Sequence, residues 1–134
     1  MELMKAFITA LVCSFVLDML WLGVIAKNLY DDNIGFLLRK SNGNLAPYWP
    51  SAIIVYLAIV IGIIAFVLPK ANGSLVAAFI WGAAFGAVTY GIYDFTNHAI
   101  LANWPLKITI IDVIWGMMLC GTTSLATMYV VRSF

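Results

Sequence analysis

The chain has 134 residues, 64% of them hydrophobic and 10% charged, with a formal net charge of +1 and a mean hydropathy of +1.02. Water-soluble domains carry about a quarter charged residues, so this chain has too little polar surface to cover itself in water. Its seven Lys and Arg stand singly or as one pair, with no basic stripe to track a phosphate backbone; nucleic acid is excluded as a partner and the lipid bilayer is the expected one.

Four apolar stretches follow in order, at about 4–26, 51–68, 74–101 and 106–131. A bilayer core of roughly 30 Å takes about 20 helical residues, and without water to satisfy the backbone only helices or closed barrels can cross it. Stretches this long rule out barrel strands. The expected class is all-α, a polytopic membrane protein with a single domain, 1–134, folded as a four-transmembrane-helix bundle. Met1–Lys5 ahead of an apolar run has the look of a signal peptide, but the run continues to Ile25 with no small-x-small site, so the first stretch is expected to be retained as a span. Cys13 and Cys120 fall inside apolar runs and read as small buried hydrophobes rather than a disulfide.

The connections match. The long loop 27–50 carries Asp31, Asp32, Arg39, Lys40 and the turn cluster Ser41-Asn42-Gly43-Asn44, and its apolar middle, Ile34–Leu38, is suited to the interface. Pro69-Lys70-Ala71-Asn72-Gly73 and Ala102-Asn103-Trp104-Pro105 are tight turns. Asn72-Gly73-Ser74 matches a glycosylation triplet but abuts the membrane, so the turn is the better reading. Tyr48, Trp49 and Trp104 are expected at the interfaces. Four spans put both termini on one side, here side A, with Lys5, Lys70 and Arg132; Lys27, Arg39, Lys40 and Lys107 lie on side B. That near-equality gives the positive-inside rule nothing to act on.

Three of the six acidic residues, Asp18, Asp94 and Asp112, lie within spans. Each costs about 2.5–3.5 kcal/mol at a span centre on insertion scales, so interior-facing positions are expected. Asp18 is late in the first span, Asp94 late in the third and Asp112 early in the fourth. Antiparallel alternation therefore brings all three into the half of the membrane nearest side B. Trp21 follows Asp18 by three residues and Trp115 follows Asp112 by three, each on the same helix face as its Asp. In the third span Tyr90, Tyr93, Asp94 and Asn97 form one stripe. One turn earlier Gly82-Ala83-Ala84-Phe85-Gly86 is a GxxxG segment, suited to packing within the chain and, as a second reading, to dimerisation. His98 is the sole histidine and stands near a span end; it reads as an interfacial residue or as a proton acceptor.

No Lys or Arg lies deep in a span, so at least one Asp is expected to carry a proton. The set Asp18, Asp94, Asp112 and His98 is oxygen-rich and would suit Mg, Ca, Mn or Fe better than Zn. Yet no HxxxH, ExxH or CxxC spacing supports a metal site, and none is assigned. No cofactor fingerprint occurs either. The expected pocket is Asp18, Asp94 and Asp112 enclosed by Trp21, Trp115, Tyr90, Tyr93 and Asn97, with His98 at its edge.

The segments Tyr90-Gly91-Ile92-Tyr93-Asp94-Phe95-Thr96-Asn97, Trp104-Pro105-Leu106 and Asp112-Val113-Ile114-Trp115-Gly116 resemble the signature of the DUF2177 predicted membrane proteins, and Asp18–Gly23 fits as well. The resemblance spans nearly the whole chain and implies a four-span protein of bacterial type, in the inner (cytoplasmic) membrane. It brings no activity with it, and it places smaller or aliphatic residues where this chain has His98.

Three functional readings stay open on sequence. The first is binding or transport of a proton, a cation or a small polar ligand. A four-span unit is small for an alternating-access carrier, so this reading includes a homodimer. The second is an intramembrane enzyme acting on a lipid or isoprenoid with carboxylates as acid and base, although no nucleophile motif appears. The third is a structural or accessory subunit whose polar network only sets helix register.

Overall fold

A computed structural model describes residues 2–134. Four helices in it are long and apolar enough to cross a membrane: Glu2–Ile25, Trp49–Ala71, Leu75–Ile100 and Leu106–Ser133. The chain is therefore an all-α membrane protein of four spans. The first span is α1 (Glu2–Leu20), continued by a wide π-type turn at Trp21–Ile25. The second is α3 (Trp49–Gly62), a second wide turn at Ile63–Val67, and α4 (Leu68–Ala71); the third is α5 (Leu75–Ile100) and the fourth α6 (Leu106–Ser133). Pro69 explains the second wide turn. It has no N–H for the Ala65 carbonyl, and the helix loosens so that the Leu68 N–H reaches Ile63 instead.

The connection 27–50 is built rather than loose. Helix α2 (Lys27–Ile34) leads through a short 3-10 turn into a hairpin of β1 (Lys40–Ser41) and β2 (Asn44–Leu45). Asn42 and Gly43 both have positive φ, 53° and 78°, as a two-residue hairpin turn requires. Lys40 pairs with Asp31 at 2.7 Å and Lys27 donates to Asn44 at 2.9 Å, which pins the hairpin onto α2. Within the apolar stretch 34–38, Ile34 is buried in the core while Phe36 and Leu37 are exposed. The Asn72-Gly73-Ser74 triplet is a helix-to-helix turn: Asn72 ends α4 in a left-handed conformation, and the Ser74 hydroxyl accepts the Ala77 N–H at 3.1 Å as the cap of α5. The start of the first span and the end of the fourth meet on side A, where the Lys5 ammonium contacts the Phe134 carbonyl.

Helix α6 occupies the centre. It packs along most of α5 and along α1, while α3 lies against α1. Its buried face is small and weakly polar, with Gly116, Cys120, Gly121, Thr123, Ser124 and Thr127. Lipid offers no hydrophobic drive for helix association, so close backbone approach has to supply the contact. The GxxxG of α5 does so within the chain. Gly86 lies on the Gly116 backbone and Gly82 on the Cys120 carbonyl and Ser124. Outward, Val12, Ile54, Phe66, Val88 and Ile92 are exposed, the side chains that would face lipid. Tyr48 and Trp49 are exposed near a span end as amphipathic rings should be, but Trp104 turns inward and is buried. Its indole donates to Thr109 at 2.9 Å, a bond available only on the inner side of the turn.

A Cβ at Gly86 would overlap the Gly116 backbone, whereas one at Gly91, on the same helix, would meet nothing. Gly86→Ala is therefore expected to cost about 1–3 kcal/mol. Gly91→Ala should be neutral or stabilise by up to about 1 kcal/mol. Thermal unfolding in detergent, with the two variants side by side, measures the difference.

Candidate polar chamber near side B

The two Asp-x-x-Trp segments meet. Helices α1 and α6 run antiparallel, so moving three residues forward along one is moving roughly 4.5 Å backward along the other. Trp115 of α6 thus comes level with Asp18 of α1, and Trp21 level with Asp112. The indoles stack face to face, with centroids 4.5 Å apart and planes 7° from parallel. Each then serves the carboxylate of the opposite helix. Trp115 Nε1 donates to Asp18 Oδ1 at 3.1 Å, and Trp21 Nε1 donates to the Tyr30 hydroxyl at 3.2 Å, which donates onward to Asp112 Oδ1 at 2.6 Å. Asp18 Oδ2 accepts a matching tyrosine bond from Tyr56, also at 2.6 Å.

Asp94 completes the line. It is fully buried, and neither of its oxygens has a donor from Lys, Arg, Tyr, Trp or the backbone. Its charged neighbour is the Asp112 carboxyl. The backbone around Asp94 is held from α6: the Thr109 hydroxyl donates to the Asp94 carbonyl at 3.3 Å while accepting from Trp104.

The carboxyls border a chamber of about 330 Å³ beneath the side-B connection. Asp18 and Asp112 line it, as do Tyr30, Tyr56, Tyr90 and Tyr93, and its outer end is formed by Lys27, Asp31 and the apolar side chains of α2 and the hairpin. Among the described residues the ion pairs are Lys5–Glu2 and Lys40–Asp31. Neither involves an intramembrane carboxyl. No group of three His, Cys, Asp or Glu side chains among the described residues is arranged to hold a metal ion.

Of the residues singled out in the sequence, Asp18, Asp112, Tyr90 and Tyr93 line the chamber. Trp21 and Trp115 form its hydrogen-bonding wall, and Asp94 stands behind Asp112. Asn97 is half-buried beside the Tyr93 hydroxyl and does not reach the chamber. His98 is exposed and lies outside it, because one residue past Asn97 the helix has turned its side chain about 100° away from the stripe. Tyr30, Tyr56, Lys27 and Thr109 are additions from the fold. Tyr56 had a legible signal: it is the one tyrosine of the second span, and its place early in a span that starts on side B puts it at the depth of the carboxylates. Tyr30 had none, since it arrives from the connection.

The chain belongs to the DUF2177 family of predicted membrane proteins, whose model matches residues 3–129. No curated protein and no solved structure matches it.

Tyr30 lies outside the spans and is buried against Asp112; burial first, and then the charge of Asp112, hold its phenol above the ordinary tyrosine value. The folded state therefore keeps a proton that the unfolded chain releases above pH ~10. The stability this adds is complete below that pH and falls as pH rises through the alkaline range. Tyr30→Phe should flatten that alkaline decline, read by thermal unfolding against pH. At neutral pH it should cost about 1–3 kcal/mol, because Asp112 and the Trp21 N–H each lose a buried partner.

Proposed function

We propose that this chain binds, and moves across the membrane, protons or a small positively charged ligand, using the chamber at Asp18 and Asp112 with Asp94 behind it. One observation carries the reading: three carboxyls share one half of the membrane, two of them line a chamber, and no Lys or Arg pairs with any of them. Ionisable residues within a membrane face the bundle interior or a cavity and mark substrate, ion or proton pathways. Here the charge is left for protons or a ligand to balance.

The tyrosine and tryptophan bonds support a positioning role for Tyr30, Tyr56, Trp21 and Trp115, which hold the carboxylates in place without neutralising them. The neighbouring carboxyls of Asp94 and Asp112, with no donor on Asp94, are suited to hold a proton and to release it when a cation arrives. Such a protein fits the cytoplasmic membrane of a bacterium. Because four spans offer little to rock against one another, it would work as a homodimer through a face other than the GxxxG, which α6 already occupies.

The test is flux in proteoliposomes, followed with an enclosed pH dye under an imposed proton or potassium gradient. The intact protein should dissipate the gradient, and Asp112→Asn should lower the rate about tenfold or more, towards that of empty vesicles. Equal rates for the intact protein, Asp112→Asn and Asp94→Asn would overturn the reading. Conversion of bilayer lipids without flux would place the same carboxyls in acid–base chemistry instead.

A further inference from the structure

The chamber is open to more than side B. A second cavity of about 490 Å³ lies between α3 and α5, and it shares Val55, Tyr90 and Tyr93 with the chamber. Helices α3 and α5 scarcely touch at this level; α5 meets the second span at Ile63–Val67 and at α4, farther towards side A. The rim residues Val55 and Ala58 are exposed on the flank of a span, so the groove faces the hydrocarbon. Its lining is apolar, with Ile59 and Phe85, and its one hydroxyl besides the shared tyrosines, Thr89, is turned back onto the Phe85 carbonyl at 2.9 Å.

Where groove and chamber join, the lining changes to aromatic rings around a carboxylate. Tyr56, next to Val55, donates to Asp18, and Tyr90 and Tyr93 line both spaces. Each Asp18 oxygen accepts a single hydrogen bond, whereas a carboxylate offers about four lone-pair sites, which leaves room for a cation. Tyrosine rings add attraction for an ammonium head. Among the described residues Lys27 is the one cation lining the chamber, at its side-B end, where it is bonded to Asn44. An acidic, ring-lined chamber continuous with an apolar groove opening on lipid is matched by a molecule with a positive head and a hydrocarbon tail.

We propose that the ligand of the chamber is an amphiphilic organic cation, which enters sideways from the bilayer between α3 and α5 and sets its ammonium head at Asp18 with its tail in the groove. This rests on the cation-binding reading above and names the class of cation. Lipid is as apolar as the groove, so the tail adds little affinity once in the membrane; it delivers the head to the right depth. Selection for charge comes from Asp18.

Equilibrium binding to the protein in nanodiscs, corrected for empty nanodiscs, tests this with three radiolabelled probes: decyltrimethylammonium, tetramethylammonium and decyl sulfate. The intact protein should bind decyltrimethylammonium saturably and decyl sulfate not at all. Asp18→Asn should weaken decyltrimethylammonium on the order of 30-fold or more, as expected for loss of a buried charge partner. Ala58→Trp, which fills the groove away from the carboxylates, should weaken decyltrimethylammonium while leaving tetramethylammonium unchanged. The probe comparison on the intact protein needs no variant to fold. Equal binding of decyl sulfate and decyltrimethylammonium would overturn the proposal, as would indifference of decyltrimethylammonium to Ala58→Trp. Flux that depends on Asp112, without saturable decyltrimethylammonium binding, would overturn the amphiphile alone and leave the cation-binding reading in place. Neither flux nor binding would remove both.

Discussion

A carboxylate inside a bilayer must find donors, a cation or a proton, and the arrangement of this molecule follows from how three of them are served. Asp18 receives Tyr56 and Trp115; Asp112 receives Tyr30, itself held by Trp21. These bonds reach across from α1 to α6, from α1 to α3 and from α6 to α2. Taken together they tie two of the other three spans and the side-B connection to the central α6. Asp94 receives no donor at all, and its carboxyl lies buried beside that of Asp112. The polar network therefore joins spans in the half of the membrane near side B, and no Lys or Arg pairs with its carboxyls.

The stacked indoles give the network its geometry. An Asp-x-x-Trp on each of two antiparallel helices can cross-pair only if the pairs face each other at one depth, and the ring-over-ring contact sets that depth. On the opposite half of the membrane the structure is plain by contrast, with glycines, Thr and Ser of α5 and α6 in close approach. One half of the bundle is thus packed tightly backbone to backbone. The other holds a chamber bordered by Tyr30, Tyr56, Tyr90 and Tyr93.

Much of this was readable from particular residues. The common depth of Asp18, Asp94 and Asp112 follows from span count and direction. The shared helix face of each Asp and the Trp three residues on follows from their spacing, and the GxxxG of α5 reads as a packing seam. The misses have physical reasons as well. His98 shares sequence proximity with Asn97 but not a helix face, and Trp104 sits at a span end yet turns inward to Thr109. Tyr30 belongs to a connection whose path over the bundle depends on the Lys40–Asp31 and Lys27–Asn44 bonds.

By itself the sequence determined the class, the number of spans, the alternation that gathers the acidic residues near side B and the lack of Lys or Arg deep within the spans. These are matters of hydropathy, length and parity, which act locally along the chain. Only the tertiary structure decided which Trp serves which Asp, and that Asp94 is buried without a donor while Asp18 and Asp112 each receive a tyrosine. It also decided that the connection supplies Tyr30 and that α3 leaves α5 to open a groove on the lipid side. Those outcomes depend on helix rotation and on spacing between helices. Both are set by side chains packing across spans, at distances the linear order does not encode.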